Sequence, residues 1–146
     1  MKTTSFLACA VLLMTTGASA AEKVTVQVTN AWVRATVPGQ PVAGAYLDLR
    51  ADRAVKLIGV ASPVAKRGEI HEMKDEDGMM KMRAVAAVDL PAGETVSLAP
   101  GGLHVMLFGL SEPLIAGRKV KLTLRFRGDS GGVFKQTVEV PVKAVD

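Results

Sequence analysis

Hydrophobic residues recur at every second position along much of the chain, and this alternation decides what it can fold into. In Val24-Thr25-Val26-Gln27-Val28-Thr29 the apolar side chains take the even places, which in an extended chain points them all to one side and predicts a half-buried strand. The same alternation returns near the end, where Val120, Leu122, Leu124 and Phe126 interleave with Lys119, Lys121, Thr123, Arg125 and Arg127. Phe134, Val138, Val140 and Val142 continue it after a break, so the two segments predict a hairpin. Shorter strand candidates lie between them at 31–36, 43–50, 55–61, 69–73, 79–88, 95–98 and 103–108. Turn residues separate these, at Pro38-Gly39, Pro91-Ala92-Gly93, Pro100-Gly101-Gly102 and Gly128-Asp129-Ser130-Gly131-Gly132. No segment carries a long 3.6-residue period. The expected fold is all-β, an antiparallel β-sandwich in a single domain without repeats or a linker.

The first twenty residues depart from this pattern. They hold a lysine at position 2, an apolar stretch from Phe6 to Met14 and an Ala18-Ser19-Ala20 ending, the layout of a cleavable secretory signal. Residues 1–20 are expected to be removed, leaving 21–146 as an exported domain. Cys9 is the single cysteine, and lipid attachment there is disfavoured because the apolar run continues past it. The exported domain then has no thiol, which excludes disulfides, CxxC redox chemistry, thiolate zinc sites and blue-copper centres. Without Lys2, 17 lysines and arginines stand against 14 acids, a formal charge of +3. The basic residues are scattered along the chain, so no nucleic-acid partner is expected. No second apolar run of about eighteen residues follows, so no membrane insertion is expected after processing. A monomer is expected.

Gly-Asp-Ser-Gly-Gly at 128–132 matches the nucleophile loop of chymotrypsin-like proteases. A serine nucleophile needs a histidine base oriented by a carboxylate, and neither histidine of this chain has the flanking motif. A small-residue hairpin loop explains the string better. No catalytic residue is assigned, and an enzyme is not expected.

The chemistry is concentrated elsewhere. His71, Met73, Met79, Met80, Met82, His104 and Met106 all fall within residues 71–106. Singly, a methionine is explained as a core filler and a histidine by a local hydrogen bond; the clustering is not. In a strand, His104 and Met106 share one face while Leu103, Val105 and Leu107 take the other, so an imidazole and a thioether stand side by side. Residues 69–73 and 79–83 predict a hairpin through the Asp77-Gly78 step. A loop at Asp75–Gly78 would set Lys74 opposite Met79, Met73 opposite Met80 and His71 opposite Met82, with His71, Met73, Met80 and Met82 on one face. His71, Met82, His104 and Met106 together offer two imidazoles and two thioethers, a soft set suited to Cu(I). Because imidazoles must be neutral to ligate, binding is expected to weaken as pH falls through about 6.5, and methionine oxidation is expected to damage it. Met73, Met79 and Met80 are auxiliary candidates, either core or an adaptable surface around the metal. Trp32 and Tyr46 are expected in the core, with partner docking the lesser alternative. Asp75, Glu76 and Asp77 lack the ligand spacing of a calcium loop and are expected to form a solvated hairpin tip.

The spacing His71, ten residues, Met82, twenty-one residues, His104, one residue, Met106 resembles the metal motif of the PCu(A)C periplasmic copper chaperones. The likeness extends over nearly the whole exported chain. It includes Ala31-Trp32-Val33-Arg34-Ala35, Ala43-Gly44-Ala45-Tyr46-Leu47, Ile70-His71-Glu72, Met80-Lys81-Met82-Arg83, Leu90-Pro91-Ala92-Gly93 and Pro100 through Leu107. The resemblance implies a cupredoxin-like, Greek-key β-sandwich that binds Cu(I) through those four residues. It also implies delivery of copper toward the binuclear copper site of a cytochrome c oxidase subunit, directly or through a Sco-type thiol protein. Some such proteins carry a His- and Met-rich tail linked with Cu(II); this chain ends Glu139-Val140-Pro141-Val142-Lys143-Ala144-Val145-Asp146, so no second site of that kind is expected. Copper sequestration without an acceptor, and a metal-free structural sandwich, are the alternatives.

Overall fold

A computed structural model describes residues 23–144; the expected leader and Cys9 lie outside the described residues. Among the described residues there are ten strands and no helix: β1 (Val26–Arg34), β2 (Val42–Ala51), β3 (Val55–Ala61), β4 (Ala65–Glu76), β5 (Met79–Val85), β6 (Val88–Leu90), β7 (Thr95–Leu98), β8 (His104–Leu110), β9 (Lys119–Gly128) and β10 (Val133–Lys143). They run in the order β5-β4-β8-β2-β1-β10-β9-β3-β6, with β7 on β2. The join between β1 and β10 is short and parallel, through Val33 with Val142 and Arg34 with Lys143. Every other pairing is antiparallel. The antiparallel expectation therefore fails at this one seam, and the sheet is mixed.

The seam divides the strands into two layers that face each other. From β2 and β8 come Ala43, Ala45, Leu47, Leu49, Val105 and Leu107; from β9, β10 and β3 come Leu122, Leu124, Phe126, Val140 and Leu57, all buried. These are the alternating apolar positions of the sequence, each worth about 1.5–3 kcal/mol when a large side chain leaves water. The expected β9–β10 hairpin forms, pairing Leu122 with Val138 and Phe126 with Phe134, and the two phenyl rings stack with their centroids 5.2 Å apart. Gly-Asp-Ser-Gly-Gly closes it as a loop, with the Gly131 N–H donating to the Gly128 carbonyl at 2.9 Å.

Two strand candidates, 24–29 and 31–36, are one strand. The register slips between Thr29 and Trp32 where Asn30 takes φ +51°, and the Asn30 side chain donates to Asp48 at 2.7 Å. This bulge reverses the alternation, so Val26 and Val33, seven apart, both reach the core. Conversely, the candidate at 79–88 divides: β5 ends at Val85 and the chain crosses to pair β6 with β3.

Two further expectations are corrected. Trp32 and Tyr46 are only half-buried and pair with each other on the outer face of the first layer, not between the layers. The basic residues, dispersed in sequence, are gathered by the alternation of β9: Lys119, Lys121, Arg125 and Arg127 are exposed on the outer face of the second layer, with Lys135 opposite Arg125.

Candidate metal centre

The outer face of the first layer carries the histidines and most of the methionines. β4 lies between β5 and β8, and His71 on β4 pairs directly with His104 on β8. Their rings stand 5.9 Å apart between centroids. Glu69 pairs with Met106 in the same register, so His71, Glu69, His104 and Met106 occupy adjacent places on one face.

The β4–β5 hairpin turns on two residues rather than four. Asp77 and Gly78 both have positive φ, +56° and +79°, as a primed hairpin turn requires. The Asp75 carboxylate accepts the Gly78 N–H at 2.9 Å. Glu76 therefore pairs with Met79, Asp75 with Met80, Met73 with Met82 and His71 with Ala84. The expected pairing of His71 with Met82 is wrong by two residues. Because the slip is even, His71, Met73, Met80 and Met82 still share a face, but Met82 stands opposite Met73 and diagonal to His71. Met79 lies on the reverse face with Lys81 and Arg83, whose side chains pair with Glu76, so it does not join the group.

Three of the four expected ligands, Met82, His104 and Met106, line one open cleft of about 490 Å³, together with Met73, Tyr46 and the Pro100-Gly101 turn. The fourth, His71, stands beside His104 and leans toward Glu69 and Phe108, the latter 5.8 Å away between ring centroids. The turn is placed by an interruption in the sheet: β8 pairs with residues 42–45 of β2 and β7 with residues 47–50, leaving Tyr46 between them. There the Gly102 carbonyl accepts from the Met73 N–H at 3.2 Å and holds the His104 Nδ1 at 2.9 Å.

These hydrogen bonds assign the imidazole tautomers. His104 donates from Nδ1 to a carbonyl, which leaves the Nε2 lone pair available. His71 Nε2 lies 2.8 Å from Glu69, whose other oxygen is 2.6 Å from Arg67 Nε. The His71 hydrogen bond holds the Glu69 carboxyl below its ordinary 4.5 against the opposing effect of desolvation, with the nearby Arg67 charge adding to the lowering. With Nε2–H donating to that carboxylate, the lone pair of His71 is on Nδ1. This atom is the one buried side-chain nitrogen or oxygen among the described residues with no hydrogen-bond partner. A buried acceptor without a partner costs about 1–3 kcal/mol, and a ligating nitrogen whose ring is oriented by a carboxylate is a recurrent arrangement in metal sites. Among the described residues no three His, Asp or Glu side chains converge as a metal cluster. The further soft donors beside the two imidazoles are the thioethers of Met73, Met82 and Met106.

Tyr46 is the participant that sequence reasoning assigned to the core. Its ring lies tilted against that of Trp32, 4.6 Å between centroids, and stands 6.5 Å from that of His104. Its phenol oxygen lies over Gly44, where an added Cβ would come within 2.8 Å of it; Gly44 pairs with Met106. The Gly44-Ala45-Tyr46 spacing in the sequence was the available signal, because a glycine two residues before an aromatic on one strand face leaves room for the ring tip.

Fold and site together define a β-sandwich whose open cleft presents one imidazole and several thioethers, with a second imidazole beside it. The pattern of the family described as "Putative lipoprotein LpqE-like" matches residues 26–142, and the chain belongs to that family. A relative from Leifsonia xyli subsp. xyli, "Putative lipoprotein Lxx21020", is 39% identical over 119 residues, covering 81% of this chain and 69% of the relative. The copper-bound PCuAC domain from PmoF2 is 29% identical with a TM-score of 0.65, over 82% of this chain and 93% of that one. The Cu(I) form of DR1885 from Deinococcus radiodurans is 31% identical with a TM-score of 0.56, over 88% and 82%. The cupredoxin-like fold and the resemblance to PCu(A)C proteins read from the sequence both hold.

Proposed function

We propose that this protein is an exported, non-enzymatic carrier of Cu(I). Its ligands are His71 through Nδ1, His104 through Nε2, and the sulfurs of Met82 and Met106. The observation that carries this reading is the buried, unpartnered His71 Nδ1 beside His104 in a region rich in thioethers. Two neutral imidazoles and two neutral thioethers favour a soft monovalent ion, and without a thiolate the site can yield copper to a thiol acceptor by stepwise ligand exchange. Two relatives in the solved structures hold copper, one of them as Cu(I). The acceptor in this reading is the binuclear copper site of an oxidase subunit or a Sco-type thiol protein. Export through residues 1–20 accords with relatives described as lipoproteins.

A Cu(I) competition titration under reducing conditions tests the site. The protein is expected to bind one tight equivalent, and Met82→Ala with Met106→Ala to lose it. Unchanged binding in that double variant would move the site elsewhere. A thiol acceptor should then remove the copper within minutes; retention would favour sequestration.

A further inference from the structure

The hairpin places a second group of sulfurs beside the four proposed ligands. Met73 is directly opposite Met82, and Met80 is the next residue outward on the same face. Met80 and Met82 are 55% and 50% exposed, while Met73 is half-buried against the cleft. Core packing does not account for two long apolar side chains at such exposure in a two-stranded arm. Directly opposed Cβ atoms lie about 4.5–5.5 Å apart and diagonal ones about 7–8 Å. Methionine has three rotatable bonds before its terminal methyl and adapts to such spans, so the three sulfurs can converge on one ion. The same face carries the Asp75 carboxylate, which favours a cation, whereas Lys74, Lys81 and Arg83 project from the reverse face.

We propose that Met73, Met80 and Met82 form a second Cu(I) site, an outer three-thioether station that loads the inner one. The inference rests on the Cu(I) reading above. Met82 is common to both sites and acts as the pivot. During transfer the bonds from copper to the Met73 and Met80 sulfurs break, and bonds to His71 Nδ1, His104 Nε2 and the Met106 sulfur form. Copper remains Cu(I) throughout, and neither protons nor electrons need to move, because every ligand is neutral. Three thioethers hold the ion less tightly than a set including two imidazoles, so transfer runs inward. The two-residue register difference makes this possible: it puts Met82 beside Met73 while leaving it diagonal to His71.

Methionine methyl NMR with added Cu(I), under reducing conditions, reads the two sites separately. His71→Ala with His104→Ala is expected to retain Cu(I) binding at least about tenfold weaker than the original protein, with shifts at the Met73, Met80 and Met82 methyls. Adding Met73→Leu and Met80→Leu should weaken that residual binding by a further factor of about ten or more. In the protein with both histidines, Met73→Leu with Met80→Leu should slow loading from a chromophoric Cu(I) chelator severalfold. If the histidine variant fails to fold, the loading rate and the methyl spectrum of the unaltered protein decide the matter. Motionless Met73 and Met80 methyls together with an unchanged loading rate would overturn the outer station. Absence of any Cu(I) binding by the unaltered protein would instead overturn the parent reading.

Discussion

Glu69 is the residue whose removal most directly tests how the inner site is oriented. It touches no proposed donor atom, yet it accepts from His71 Nε2 at 2.8 Å and so keeps the lone pair on Nδ1. Glu69→Ala removes that acceptor without altering any ligand. Loss of a carboxylate that orients a metal-bound histidine costs about 10–100-fold in affinity. Two exposures place this case within that range: the His71 side chain is 12% exposed, so water reaches it poorly, while that of Glu69 is 31% exposed, so water partly fills the gap. The expected loss of Cu(I) affinity is therefore about 30-fold, with Glu69→Gln smaller because an amide oxygen still accepts. A chelator competition titration measures the affinity, and imidazole nitrogen NMR reports the His71 tautomer. An affinity within threefold of the original with the tautomer unchanged would refute Glu69 as the group that orients His71, and the same affinity with the tautomer switched would refute the assignment of Nδ1 as ligand.

Three other outcomes follow from the same geometry. His71→Leu removes an acceptor that burial leaves unsatisfied, so the metal-free protein should be as stable or more stable by about 1 kcal/mol; denaturant titration should also show the loss of copper protection, which for the unaltered protein reaches about 2.7 kcal/mol at a hundredfold excess over Kd. Gly68→Ala drives a Cβ into the Val60 carbonyl oxygen, where β4 passes β3, and should cost about 1–3 kcal/mol by thermal unfolding. The Asp48 carboxyl is held below its ordinary 3.8 first by Asn30 and then by Ser97. Its folded value is depressed, so its contribution is complete above that ordinary value and disappears as pH falls through the lower one; Asp48→Asn should flatten this acid limb of the stability curve, and an unaltered limb would sink the assignment.

The sheet was legible wherever a strand kept one phase. β3 and β7 coincide with the segments read from the sequence, and β9 and β10 pair as the alternation required. The misread places are those where phase changes or where a strand changes partner. At Asn30 a residue with positive φ reverses which side chains face inward, and a period-two pattern registers this only as an end and a new beginning. At 86–87 the chain leaves the first layer for the second, a step that alternation cannot distinguish from a continuing strand. The parallel seam joins residues 33–34 to 142–143, a long-range contact for which neither segment carries a local sign. The basic face of the second layer was hidden for the opposite reason: counting charges along the chain ignores the strand period that collects β9's cations on one side.

In the proposed site, residue types and spacing were informative because ligands on strands are constrained to every second position. His104 and Met106 had to share a face, and any even error in the β4–β5 register preserves the faces of His71 and Met82. That symmetry keeps His71 and Met82 on one face despite a mistake in turn length, but it conceals which side chains are neighbours. The preference of Asp-Gly for a two-residue turn carries the correction, since it brings Glu76 and Met79 into the ladder and moves Met82 from His71 to Met73. Glu69 was invisible for a different reason. Its two-residue offset from His71 is commonplace in a strand, and only the side-chain hydrogen bond shows that it fixes a tautomer. Testing the proposed transfer site requires both kinds of information: donors that sequence spacing can suggest, and the orienting contacts and neighbouring sulfurs that only the folded register reveals.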